Sequence, residues 1–228
     1  MDWAAHVSYL SYSVGAIIAG ICAVWIARFG DPERSDRWSA VVALALTANW
    51  CVAAASFDPD HSILLLTEVA ANVAWLATLL RHFANDGRDE SVRMVRPVAL
   101  ALGFVEALQL ALILLAYNAG WPNGTTAIVF ETSAMFRMLV ATGSLVLVHN
   151  LYVGASPRSR QILRWNAAAM AGFWAFTLNF YNVAWLSGSY PAELVATRGL
   201  AVAMVAIPFA IGFNQKAAEL TFSPSRTV

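Results

Sequence analysis

Seven apolar runs dominate this sequence, each near the length of about 20 residues that a helix needs to cross a hydrocarbon core. They extend from His6 to Phe29, Trp38 to Phe57, Ser62 to Phe83, Pro97 to Asn118, Ala127 to Val153, Ile162 to Ser187 and Glu193 to Phe213. The breaks combine turn formers with polar residues, as in Gly30-Asp31-Pro32-Glu33, Asp58-Pro59-Asp60, Asn85-Asp86-Gly87, Ser156-Pro157 and Gly188-Ser189-Tyr190-Pro191. A fourth break, Gly120-Trp121-Pro122-Asn123-Gly124, leads into a glycosylation-like triplet, Asn123-Gly124-Thr125, of a kind common by chance.

Composition supports the same reading. Hydrophobic residues make up 59% of the chain and charged residues 12%, about half the charged share of a soluble domain. A water-soluble fold of this size cannot bury so much apolar surface, whereas a bilayer solvates it. The 14 basic and 14 acidic residues cancel, so no nucleic acid or polyanionic partner is expected. The expected fold is an all-α integral membrane protein, a seven-transmembrane-helix bundle over residues 1–213, followed by a connector over 214–228. Residues 1–10 have no basic stretch or small-residue cleavage site, so the first run is expected to stay as a spanning helix.

Basic residues set the orientation. Arg28, Arg34 and Arg37 flank the first connection; Arg81, Arg88, Arg93 and Arg96 the third; Arg158, Arg160 and Arg164 the fifth. The tail adds Lys216 and Arg226, while the N-terminus and the even-numbered connections carry no Lys or Arg. The positive-inside rule then places the N-terminus outside and the C-terminus in the cytoplasm. Trp3, Trp121, Trp185 and Tyr190 fall at outer helix ends, where an interfacial aromatic belt belongs. Short connections make helices adjacent in sequence neighbours in space. Gly15-x-x-x-Ala19 and Ala16-x-x-x-Gly20 in the first helix allow close backbone approach.

Ionisable groups inside a spanning helix cost several kcal/mol unless paired or hydrated, so they are the first candidates for function. Five stand out: Glu68, Glu106, Glu131, Arg137 and Arg198. A rise of about 1.5 Å per residue puts Glu68, Glu131 and Arg198 roughly 6–9 Å below the outer end, and Glu106 and Arg137 about 13–15 Å from the start of their helices. Glu68, Asn72 and Trp75 share one face of the third helix, Glu106 and Gln109 one face of the fourth, and Asn179 and Asn182 one face of the sixth, with Tyr181 beside them. Asn49 and Gln109 are read as structural, and Asn49-Trp50 falls near the middle of the second helix. Glu131 and Arg137 are six residues apart, about 240° around the helix, so their partners must come from elsewhere.

Two readings of these groups stand. One is a polar cavity, open to the outside, that binds a small ligand through Glu68, Asn72, Trp75, Glu106, Glu131, Arg137, Asn179, Asn182 and Arg198. The other is a set of interhelical ion pairs and hydrogen bonds that hold the bundle together; Glu131 and Arg198, near helix ends, could also snorkel to the interface. No metal and no cofactor are expected. His6, His61, His82 and His149 show no metal spacing on one helix, and Cys22 and Cys51 read as small buried hydrophobes. The chain lacks a nucleophile-elbow, zinc-protease or phosphate-loop motif. A retinal Schiff base needs a lysine in the middle of the seventh helix, and the only lysine, Lys216, lies beyond that helix. Pro208 falls inside the seventh helix and is read as a tolerated bend.

From the fifth helix onward the sequence resembles a known family. His149-Asn150-Leu151-Tyr152, Ala155-Ser156-Pro157-Arg158-Ser159-Arg160, Ala196-Thr197-Arg198-Gly199-Leu200 and Pro208 are similar to the membrane region of PrsK-type sensor histidine kinases of the exosortase/PEP-CTERM system. Asn49-Trp50, Leu66-Thr67-Glu68, Ala74-Trp75-Leu76 and the tail from Leu220 to Val228 resemble the same family. The resemblance implies the input domain of a two-component kinase in a bacterial inner membrane, linked to exopolysaccharide, with a cytoplasmic kinase module in cis and lipids around it. It also implies a homodimer, which no helix face in the sequence demands. The family's kinase domains are absent from this sequence, so no enzymatic activity is expected of it. The chief alternative is a small-molecule or ion transporter with a midplane polar site, against which the sequence shows no inverted repeat. A membrane-embedded enzyme using the carboxylates as acid and base is a further alternative, without a supporting nucleophile.

Overall fold

The computed structural model of the chain describes residues 3–32, 34–58, 61–84, 89–119 and 123–213. The connector over 214–228, including Lys216, lies outside the described residues, as does Trp121. Seven helices make up the structure: α1 (Trp3–Phe29), α2 (Arg37–Ser56), α3 (Ser62–Ala84), α4 (Asp89–Ala119), α5 (Asn123–Gly154), α6 (Pro157–Ser187) and α7 (Ala192–Phe213). Among the described residues there is no strand. Six helices are long and apolar enough to cross a membrane, which makes this a multi-pass membrane protein; α6 is outside that set. Asn166, Thr177, Asn179 and Asn182, together with arginines in its first turns, dilute the apolar character of α6.

Several helices begin before the apolar run does, because backbone hydrogen bonding continues into polar sequence that a hydrophobicity ruler excludes. α4 starts at Asp89 rather than at Pro97, and Pro97 sits inside it. α6 starts five residues ahead of Ile162: Ser156 caps it, its side chain accepting the Ser159 amide at 3.3 Å, and Pro157 follows in the first turn, where its missing N–H costs nothing. α7 continues across Pro208 to Phe213.

Consecutive helices pack against one another, and α1 also packs along α7, so the seven form a closed ring. The α1–α7 seam depends on glycine. A Cβ added at Gly15 would stand 2.6 Å from the Gly199 carbonyl oxygen, and one at Gly199 would strike the Ser11 backbone. With the backbones this close, the Leu200 amide reaches Ser11 Oγ at 3.0 Å. Gly20, by contrast, faces open space.

The bundle is apolar on both sides. Its interior holds Trp75, Trp174, Phe180, Phe209 and Phe213, each at most 2% exposed. Its outward faces carry Leu10, Ile17, Leu100, Leu186 and Met204, each at least 60% exposed, surface that lipid rather than water would solvate.

Candidate functional site

Three helices bring charged or hydroxyl groups to one carboxylate on a fourth. Glu68 of α3 is 5% exposed, and its Oε1 accepts the Tyr181 hydroxyl of α6 at 2.7 Å. The same oxygen accepts Arg198 Nη2 of α7 and lies 3.0 Å from Arg137 Nη1 of α5. Arg137 is 1% exposed. Its Nε, Nη1 and Nη2 make no hydrogen bond with a described residue, so its contact with Glu68 is a charge contact without hydrogen-bond alignment. Both guanidiniums are also held by π faces. Arg198 lies 4.3 Å from the Phe180 ring centroid and 4.6 Å from that of Trp50, and Arg137 lies 5.2 Å from that of Tyr181. Removing one partner from such a buried cluster strands an uncompensated charge, at a cost of about 3–5 kcal/mol.

A second layer supports the first. Asn72, one turn beyond Glu68 on α3, donates to Glu106 Oε1 of α4 at 3.0 Å, and Gln109 Nε2 donates to Ser133 Oγ of α5 at 2.6 Å. Glu106 Oε2, Gln109 Oε1 and Trp50 Nε1 are buried without a hydrogen-bond partner among the described residues. Trp75 Nε1 donates to Thr47 Oγ1 of α2 at 2.9 Å, and its ring stacks on Phe173.

Two cavities meet at the Glu68–Arg198 pair. The larger, about 390 Å³, lies at the end of the bundle where α1 begins and is lined by Tyr9, Tyr12, Phe57, Asp58, Phe180, Tyr181, Tyr190, Val195 and the pair itself. Tyr9, Phe57 and Asp58 are exposed, so the cavity opens at that end. The smaller, about 20 Å³, is lined by Thr47, Trp50, Asn72, Thr177, Val202 and again Glu68 and Arg198. It is large enough for one water molecule. Glu68 and Arg198 therefore line both the aromatic chamber and the small cavity beside it.

Against known proteins, the chain matches no family model, no curated protein and no solved structure. The geometry of the site is thus the main guide to what it does.

Of the nine residues singled out in the sequence, Glu68, Asn72, Glu106, Arg137 and Arg198 converge as described. Trp75 is buried beneath them in a packing role and lines neither cavity. Glu131, Asn179 and Asn182 do not join the cluster: all three are exposed on outward faces. For Glu131 the reason is its 240° offset from Arg137, which points inward. On α6 the inward group is Tyr181, and a step of about 100° per residue turns Asn179 and Asn182 away from it. Asn49 also faces outward. Arg198 does not snorkel; its side chain is 11% exposed and bound to Glu68. The spacing of charged residues could not reveal Tyr12, Phe57, Phe180 and Tyr190, because they are uncharged, nor Asp58, because it lies in a connection. Among the described residues, no three His, Cys, Asp or Glu side chains converge as a metal site would require. Cys22 and Cys51 are buried free thiols.

Proposed function

We propose that this chain is the membrane input domain of a bacterial two-component sensor histidine kinase, similar to the PrsK type. In this reading all seven helices span the inner membrane, with the N-terminus outside and the C-terminus in the cytoplasm, as the arginine distribution supports. The large cavity then faces the periplasmic side or outer leaflet. A small ligand or membrane-derived molecule enters it and competes for the Glu68–Arg198 pair. A ligand biases such a switch only through its different affinity for two states, and exchange of a partner at this pair supplies that difference. The signal leaves along α7, which carries Arg198, toward a kinase module in cis beyond residue 213. The chain itself performs no catalysis.

The observation that carries the reading is the buried ion pair at the floor of an open chamber of about 390 Å³, a volume within the usual range for small-molecule sites. A thermal-shift screen of the purified protein against lipids, acidic sugars and amphiphiles tests it. A ligand at about a hundred times its dissociation constant adds about 2.7 kcal/mol of stability. That shift is expected in the natural chain and is expected to be smaller in Arg198→Lys; no shift with any compound overturns the reading.

A transporter is the second reading, favoured by the small cavity beside the pair, which Thr47, Asn72 and Thr177 also line. Uptake of a binding compound into sealed vesicles, at a rate above that of empty vesicles, would select it over sensing.

A further inference from the structure

At the opposite end of the bundle, a second buried polar cluster ties the last turn of α7 to three other parts of the chain. Arg34 and Asp36, in the connection between α1 and α2, are 3% and 0% exposed. They form a two-point pair, Nε to Oδ1 at 3.0 Å and Nη2 to Oδ2 at 2.7 Å. The remaining guanidinium nitrogen, Nη1, donates to the Gly212 carbonyl at 3.2 Å. This is the helix end where carbonyls lack intrahelical partners and where the helix dipole favours a cation. The Phe213 ring lies against the guanidinium, its centroid 4.0 Å away. His82, in the last turn of α3, stands 3.5 Å from Asp36 Oδ2 and 3.0 Å from Asn166 Nδ2 of α6. Asn166 in turn packs so closely on Gly212 that any Cβ there would strike its amide.

An aromatic column joins this cluster to the two cavities. Trp75, two turns along α3 from Glu68, meets Phe209 of α7 edge-on at 4.8 Å. Phe209 contacts Phe213 at 5.1 Å, and both rings contact His82, at 6.2 and 5.7 Å. Trp75 is also bonded to Thr47, which lines the small cavity beside Glu68 and Arg198. α7 runs from the cavity floor to the clamp: Arg198 and Gly212 are roughly 21 Å apart along its axis at about 1.5 Å per residue.

We propose that Arg34, held by Asp36, is a clamp on the last turn of α7, and that the Glu68–Arg198 pair determines whether the clamp holds. The proposal rests on the reading of α7 as the output helix, although the clamp itself requires no ligand. A displacement of α7 by about 1 Å would carry Nη1 beyond hydrogen-bonding range of the Gly212 carbonyl. A modest movement at Arg198 is therefore enough to open it, freeing the end of α7.

Hydrogen–deuterium exchange on the full chain in lipid nanodiscs tests this, read at the amides of residues 209–213 with the first turns of α7 as reference. Arg34→Gln is expected to speed exchange at 209–213 by about tenfold or more, with the reference unchanged. Phe213→Leu, which removes the ring against the guanidinium along with its contacts to Phe209 and His82, should speed the same segment by less, and it serves if Arg34→Gln does not fold. Glu68→Gln, or the milder Tyr181→Phe, should also speed 209–213, but add nothing in the Arg34→Gln background. Unchanged exchange in both Arg34→Gln and Phe213→Leu overturns the clamp. A response to Arg34→Gln with none to Glu68→Gln and Tyr181→Phe overturns the coupling. Neither outcome depends on finding a ligand, so failure of the sensor reading shows separately, as a blank thermal-shift screen.

Discussion

Glu68 and Arg198 stand 130 residues apart in sequence and pair across α3 and α7 at the boundary between two cavities. The pair is asymmetric in its support. One carboxylate oxygen takes Arg198, the Tyr181 hydroxyl and the charge of Arg137, while Arg198 is enclosed by the rings of Trp50, Phe180 and Tyr181. A group that leaves Glu68 for another anion would keep its aromatic enclosure, which makes Arg198 the movable member and Glu68 the fixed one.

Glu68→Gln should therefore destabilise the bundle strongly, by about 3–5 kcal/mol, because two buried guanidiniums lose the carboxylate that both contact. Adding Arg137→Met to Glu68→Gln should recover part of that loss, since one stranded cation is removed as well. Denaturant unfolding in detergent measures both, and simple additivity of the two changes would show that Arg137 and Glu68 act separately.

Tyr181→Phe removes a 2.7 Å hydrogen bond to that carboxylate and should cost about 1.5–3 kcal/mol, as hydrogen bonds to charged groups do. On the same helix, Asn179→Ala and Asn182→Ala should each stay within about 0.5 kcal/mol, because both side chains face outward. The same unfolding measurement compares the three.

The seam between α1 and α7 gives a prediction independent of charge. Gly199→Ala must push the helices apart against Ser11 and should cost about 1–3 kcal/mol. Gly20→Ala meets nothing, and with alanine's better helix propensity it should be neutral or stabilising by up to about 1 kcal/mol. Melting temperatures of the two variants test the contrast.

Much of the cluster around Glu68 was legible in the sequence for a simple reason. Glu68, Glu106, Arg137 and Arg198 stand in apolar runs where an unpaired charge is too costly, so each announces a partner. Direction was harder to read. The spacing of Asn179 and Asn182 shows that they share a face, but only the packing of Tyr181 shows that this face points outward. Glu131 illustrates the converse: its 240° offset from Arg137 already carried the answer once Arg137 was known to be inside. The Arg34–Asp36 clamp was illegible because an arginine in a short connection reads as a topology signal. His82 and Asn166 reach it from sequence positions 84 residues apart. Likewise, Pro97 reads as a helix start, yet α4 runs through it from Asp89, because an apolar run marks the part of a helix that lipid would cover rather than the whole helix.

If the open chamber above Glu68 and Arg198 receives a ligand, a variant that fills the chamber must exclude it. Ala55 lines the chamber and is not part of the ion-pair cluster, so Ala55→Phe would occupy the space while leaving Glu68, Arg137 and Arg198 paired. The measurement is the thermal shift given by any compound that stabilises the natural chain, repeated on Ala55→Phe and Arg198→Lys. The shift is expected to disappear in Ala55→Phe, although that variant melts close to the natural chain without ligand, and to weaken in Arg198→Lys. A shift of the same size in all three proteins would contradict it, placing the ligand elsewhere on the bundle and leaving the buried charges as scaffold.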